Sequence, residues 1–83
     1  MDKYNPLYVF LSKKADNRIT LKFSEIENII GDKLPKSARM YSAWWSNSQT
    51  NAHPYSRSWI DAGYKTVDVA TGISNEEMVF FKS

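Results

Sequence analysis

Residues 34–47 read Leu-Pro-Lys-Ser-Ala-Arg-Met-Tyr-Ser-Ala-Trp-Trp-Ser-Asn, and residues 53–59 read His-Pro-Tyr-Ser-Arg-Ser-Trp. Together they hold all three tryptophans, the single histidine and two of the three arginines of the chain. A tryptophan ring is large and its N–H needs a partner, so two adjacent tryptophans are difficult to bury together. We therefore expect one of Trp44 and Trp45 to lie in the core and the other to face a groove or a ligand.

The length and composition of the chain indicate one small domain spanning residues 1–83. A chain of 83 residues lies near the lower limit for a self-sufficient hydrophobic core, so ligand binding or homo-oligomerisation could add to its stability. The lack of cysteine excludes disulfides, zinc–thiolate sites and thiol nucleophiles. No signal-peptide pattern and no apolar run of membrane-spanning length is present. We predict a soluble, cytoplasmic protein with no membrane partner.

The net charge of +2 is distributed unevenly along the chain. Residues 33–65 carry five Lys and Arg and one acidic residue, residues 66–83 carry one Lys and three acidic residues, and residues 1–32 are balanced. The basic segment is also the aromatic one. Cations interleaved with aromatic rings are typical of surfaces that bind nucleic acids or nucleotides. The composition therefore favours a polyanionic partner.

Two elements are predicted ahead of the aromatic segment. Asn5 followed by Pro6 is a helix-start pattern, with Asn5 as the cap, and apolar residues at helical spacing extend the helix over about residues 6–14. Apolar and polar side chains then alternate over residues 18–23, which predicts a half-buried strand.

The pattern Ser24-Glu-Ile-Glu27 is typical of a capping box, in which Ser24 caps the helix and Glu27 reaches back to the cap. Isoleucines at helical spacing and the terminal Gly31 predict a helix over about residues 24–30. The segment 36–46 fits both a helix and a strand, and we interpret it as a helical turn that runs into a strand.

The last third of the chain indicates a helix and a hairpin. Residues 46–51 lack aliphatic side chains, which predicts a loop. Pro54 begins a third helix that ends at Gly63. Residues 64–70 and 78–81 predict two strands of a β-hairpin with a long tip.

This order of elements predicts a small α+β domain with about three short helices and a two- to three-stranded antiparallel sheet. The same order is that of a winged helix, in which a short strand follows the first helix and a terminal hairpin forms the wing. In that arrangement one of the two helical segments after residue 31 would be the recognition helix.

Several short motifs carry a family resemblance: Tyr4-x-Pro-Leu7, Phe23-Ser-Glu-Ile-Glu-x-Ile-Ile-Gly31, Leu34-Pro-x-Ser-Ala-Arg39, Trp44-Trp-Ser-Asn47, Trp59-x-x-Ala-Gly-Tyr64 and Val79-x-Phe81. With them the chain resembles an uncharacterised family of small bacterial and phage domains. The resemblance implies a compact autonomous domain and no catalytic residue.

The sharpest site hypothesis combines Arg39, Trp44, Trp45 and Asn47. On a strand, Trp44 would serve the core while Trp45 forms a stacking platform, Asn47 reads a base edge and Arg39 holds phosphate or guanine. The alternative is that both tryptophans fill the core and Asn47 is a turn former.

His53, Tyr55 and Arg57 surround the predicted start of the third helix, where free backbone N–H groups attract anions. They are also ordinary first-turn residues. His53 lacks a nucleophile or a fixed carboxylate partner, so a general-base role is not predicted.

Four further residues are candidate phosphate contacts: Lys33, Lys36, Ser37 and Lys65. Ser37 is equally well suited to a local backbone cap. The acidic residues do not form a convincing metal site, because they lie on different elements or cap helices. We expect no metal and no cofactor.

The sequence thus favours a non-enzymatic nucleic-acid-binding domain that uses the basic aromatic surface of residues 33–65. The alternative is a phage or bacterial defence-related module that binds a small nucleotide or a partner protein, as a homo-oligomer if the pocket spans two subunits. An enzyme is not predicted.

Overall fold

Three antiparallel strands and five short α-helices make up the part of the chain that the computed structural model describes, residues 3–47 and 54–83. In chain order they are α1 (Asn5–Ser12), β1 (Arg18–Lys22), α2 (Phe23–Ile30), α3 (Lys36–Met40), α4 (Arg57–Ile60), β2 (Tyr64–Val67), α5 (Val69–Ser74) and β3 (Glu77–Lys82), with 3₁₀ turns at Ser42–Trp45 and Pro54–Ser56. The predicted α+β class is confirmed. In these residues no helix is long and apolar enough to cross a membrane.

The sheet has the strand order β1-β3-β2, and both pairings are antiparallel. Because successive strand residues point to opposite faces, each strand contributes two side chains to the core: Ile19 and Leu21, Tyr64 and Thr66, and Met78 and Phe80. The helices bury their apolar residues against this same face. The opposite face of the sheet is therefore the one that the strands present outward.

The beginning of α2 differs from the predicted capping box. The helix starts at Phe23, Lys22 is the N-cap, and the Lys22 N–H donates to Glu25 Oε1 at 2.8 Å. The box is thus shifted two residues toward the N-terminus from Ser24 and Glu27, because Phe23 is buried in the core as the first residue of the helix. This shift frees Glu27 for contacts elsewhere.

The bounds of α1 also differ from the prediction. Tyr4 rather than Asn5 is the N-cap, which leaves Pro6 within the first turn, and the helix ends at Ser12. The residue that follows, Lys13, lies at the C-cap.

The hairpin of β2 and β3 is present, and its long tip is the helix α5 rather than an open turn. Left-handed backbone at Asp68 (φ 51°) and Glu76 (φ 55°) brackets this helix. A Cβ on Gly72 would lie 2.6 Å from the Glu77 carbonyl oxygen, so only glycine allows α5 to pack this closely on β3. The segment that would be a wing in a winged helix is thus a short helix.

The central segment begins as predicted and then departs from the prediction. The expected helical turn is α3, but residues 42–45 form a 3₁₀ turn and not a strand. The predicted third helix is a 3₁₀ turn at Pro54–Ser56 continued by the four-residue α4.

Candidate nucleic-acid interface

Trp45 is a core residue, fully enclosed at 0% exposure. Its ring stacks between Phe23 and Trp59, with centroid distances of 5.6 and 5.7 Å. Its N–H donates to the Ala38 carbonyl at 2.7 Å, which satisfies its polar atom inside the core. The prediction that Trp45 presents a free ring face to a ligand is therefore wrong.

Trp44 is also buried, at 8% exposure. Its ring is stacked on Tyr55 with a centroid distance of 4.1 Å and an interplanar angle of 6°, and Tyr4 packs against it edge-on. Burial raises the pKa of the Tyr55 hydroxyl above its usual value of 10.0. Adjacent tryptophans can both be enclosed here because aromatic rings from three other elements cover them.

The Asn47 amide forms hydrogen bonds with the edge strand β2. Its Nδ2 donates to the Thr66 carbonyl at 3.0 Å, and its Oδ1 accepts the Thr66 N–H at 2.9 Å. The same oxygen accepts the indole N–H of Trp59 at 3.0 Å. The amide therefore pairs with β2 as a neighbouring strand would, and these bonds occupy the groups predicted to read a base.

The two arginines of the predicted site are paired with carboxylates. Arg39 Nη2 lies 2.8 Å from Glu27 Oε2, and Arg39 Nη1 lies 3.8 Å from a Glu76 oxygen. Arg57 Nε lies 3.5 Å from Asp61 Oδ2, one turn along α4. These pairs neutralise much of the positive charge that the sequence assigned to residues 33–65.

The remaining predicted residues do not form one surface. Lys33 and Lys36 are exposed at the approach to α3, where Ser37 is exposed in the first turn, whereas Lys65 lies on the edge strand β2. His53 lies outside the described residues. The structure therefore separates Lys65 from the other candidate phosphate contacts.

Lys65 belongs to the outer face of the sheet, which we call the open face. It consists of Arg18, Thr20, Lys22, Lys65, Val67, Glu77, Val79 and Phe81. Most of these side chains are exposed or half-buried, and Val79 at the centre is buried.

Phe81 is the aromatic residue of the open face and is 42% exposed. In the strand register it lies directly opposite Arg18 on one side and Lys65 on the other. Directly opposite residues of antiparallel strands have Cα atoms about 4.5–5.5 Å apart and share a face. The register thus places an exposed ring between two cations.

More cations gather at the same end of the strands. The Tyr64 hydroxyl donates to the Asp16 carbonyl at 2.8 Å, and the Lys82 N–H donates to the Asn17 carbonyl at 2.7 Å, which holds the loop after α1 beside the sheet. We call this cluster the basic end; it comprises Lys13, Lys14, Arg18, Lys65 and Lys82. None of the five forms an ion pair within residues 3–47 and 54–83.

The other end of the sheet carries the opposite charge. Glu77 lies opposite Lys22 at the end of the register, Glu76 precedes it, and Asp68 and Glu25 cap neighbouring helices. We call these four carboxylates the acidic end. The sheet is therefore polarised along its strands, which the linear charge count does not reveal.

Arg18 and Phe81 were not among the site residues predicted from the sequence. The signal that indicates them is the alternation within the strands, because Met78 and Phe80 point inward and leave Phe81 on the face shared with Arg18. That inference needs the pairing register, and the register joins residues more than sixty positions apart.

The comparisons with known proteins address the family and not the activity. Neither a curated protein nor a solved structure matches the chain. A family model covers residues 4–83, from the Tyr4 N-cap of α1 to the end of the chain. The chain therefore belongs to DUF7662, a family described as a domain of unknown function.

Proposed function

We propose that the chain is a non-enzymatic nucleic-acid-binding domain whose contact surface is the part of the open face around Arg18, Lys65 and Phe81. The observation that carries the proposal is the register that places exposed Phe81 between Arg18 and Lys65. An aromatic ring flanked by cations suits a base and its neighbouring phosphates.

Electrostatics support the same end of the sheet. Arg18 and Lys65 have no carboxylate partner in residues 3–47 and 54–83, unlike Arg39 and Arg57. Unpaired surface cations attract polyanions and release counterions when they bind phosphates. The acidic end repels phosphates and so orients the ligand toward Phe81.

The test compares two pairs of alanine substitutions in fluorescence anisotropy titrations with a labelled DNA single strand and, separately, a labelled DNA duplex. Arg18→Ala and Lys65→Ala should each weaken binding and lower the slope of log K against log salt by about 0.7–0.9, the value of one phosphate contact. Lys33→Ala and Lys36→Ala are the matched controls, and we expect them to bind as the natural chain does.

Absence of binding at ~50 mM salt would refute nucleic-acid binding, because phosphate contacts are strongest at low salt. A loss confined to Lys33→Ala and Lys36→Ala would place the interface on α3 and overturn the assignment to the open face.

A further inference from the structure

The width of the open face limits which form of nucleic acid can use it. Neighbouring strands lie about 4.8 Å apart, so the axes of β1 and β2 are separated by about 10 Å. The long side chains of Arg18 and Lys65 add to that width on both sides. A major groove about 12 Å wide admits an α-helix or a two-stranded ribbon, so this three-stranded face lies against a duplex rather than in its groove.

The helices after α2 do not offer an alternative element for contacting base edges. α3 and α4 span five and four residues. The exposed arginine of each helix is paired with a carboxylate, Arg39 with Glu27 and Arg57 with Asp61. Among the described helices, these two occupy the place of a recognition helix, and each is too short to present more than about one turn of side chains to base edges.

Phe81 has chemistry for the face of a base rather than for its edge. A phenyl ring has no hydrogen-bond donor or acceptor, so it cannot read the groove pattern of a base pair. Inside a duplex the base faces are covered by their neighbours, whereas an unpaired base exposes a face that an aromatic ring can stack on.

We infer that the open face selects unpaired nucleotides, so that the ligand class is single-stranded nucleic acid with a base stacked on Phe81. Arg18 and Lys65 hold the phosphates on either side of that base. The inference rests on the proposed function, which it narrows from nucleic acids in general to single strands. The acidic end confines the contact to the half of the face around Phe81.

The experiment titrates a short fluorescein-labelled oligothymidine and, separately, a blunt-ended DNA duplex with the natural chain at ~50 mM salt. We expect the single strand to bind more tightly. Phe81→Ala should weaken single-strand binding by about 5- to 150-fold, the range of one base–aromatic stack. The weak binding of Phe81→Ala to the duplex should equal that of the natural chain.

Two variants serve as controls for the phenylalanine substitution. Phe81→Trp keeps a stacking ring and should retain or increase affinity for the single strand. Tyr41→Ala removes another exposed aromatic ring, 58% exposed and away from the open face, and should leave binding unchanged. Circular dichroism of each variant establishes that it is folded.

The outcomes separate this inference from the proposed function. If single strand and duplex bind equally and Phe81→Ala has no effect, while Arg18→Ala and Lys65→Ala still weaken both, base stacking is refuted and polyanion binding at this face stands. If neither nucleic acid binds, the proposed function itself is refuted.

Discussion

Asn47 ties the outer edge of β2 to the core. Its amide bonds both the N–H and the carbonyl of Thr66 and also accepts the indole N–H of the enclosed Trp59. Asn47→Ala would leave these groups without their partner. We expect a loss of about 1–3 kcal/mol in the free energy of unfolding, because a hydrogen bond contributes about 0.5–1.5 kcal/mol and these three are only part-buried, so water replaces part of what is lost. Urea denaturation followed by circular dichroism measures it.

Ser46→Ala is the matched control for this substitution. Ser46 is exposed and adjacent to Asn47, and its backbone N–H donates to the Ala43 carbonyl. We expect an effect within about 0.5 kcal/mol. If Asn47→Ala were equally mild, the amide would not be a structural tie, and a ligand role for Asn47 would again need consideration.

The tryptophans show what local sequence can and cannot predict about single residues. The difficulty of burying two adjacent indoles is real, but it depends on what covers them. Here Phe23, Tyr55 and Trp59 supply the covering rings, and the Ala38 carbonyl accepts the Trp45 N–H. The three covering rings come from other elements, so no pattern within residues 34–47 reveals them.

The helix α2 is anchored by Glu27 to the elements that follow it. Glu27 Oε2 accepts the Leu34 N–H at 2.9 Å and the Arg39 guanidinium at 2.8 Å. The carboxylate thus joins α2, the connection after Gly31 and α3. Both bonds favour the charged form of Glu27 and lower its pKa below the usual value of 4.5. The Arg39 contact has the larger effect and the Leu34 N–H the smaller one.

A lowered pKa in the folded state gives a stability contribution with a defined pH dependence. It is fully present above the unfolded value near 4.5 and is lost as the pH falls through the lower folded pKa. Glu27→Gln keeps an acceptor for Leu34 but removes the charge that Arg39 binds. We expect a loss of about 0.5–1.5 kcal/mol at pH 7, since the pair is partly exposed.

The difference in unfolding free energy between the natural chain and Glu27→Gln should shrink as the pH falls below the unfolded value near 4.5 and through the lower folded pKa, because a protonated Glu27 resembles glutamine. Urea denaturation at a series of pH values measures this. Glu77→Gln is the control: within residues 3–47 and 54–83 Glu77 forms no ion pair. A constant gap for Glu27→Gln across the series would contradict the ion pair with Arg39.

The elements themselves are predicted unequally well. The alternation within β1 and the isoleucine spacing within α2 are local patterns that show which side of each element is buried. Both elements lie close to where the sequence predicts them. The prediction misplaced the capping box of α2 because Ser24 is locally the better cap, whereas burial of Phe23 as the first helical residue sets the N-cap at Lys22. The helix in the hairpin tip depends on the contact of Gly72 with β3, which is again non-local.

At the scale of the described molecule, the three tryptophans and Phe81 lie on opposite sides of the sheet. All three tryptophans are buried in the core. Phe80 on the inner side of β3 contacts Trp59, with a centroid distance of 5.9 Å. Phe81 is the next residue and points the other way. The sheet therefore lies between the tryptophans and a ligand bound at the open face.

This division predicts the fluorescence of the complex. Tryptophan emission of the natural chain should be weakly quenched by acrylamide and should stay unchanged on adding a single strand that raises the anisotropy of its label, because the bound bases do not reach the indoles. In Phe81→Trp the added indole lies on the open face, and stacked bases should quench its emission. If the single strand quenched the tryptophan emission of the natural chain, the ligand would lie at the tryptophans. The interface would then be the aromatic core, which would have to open to bind it.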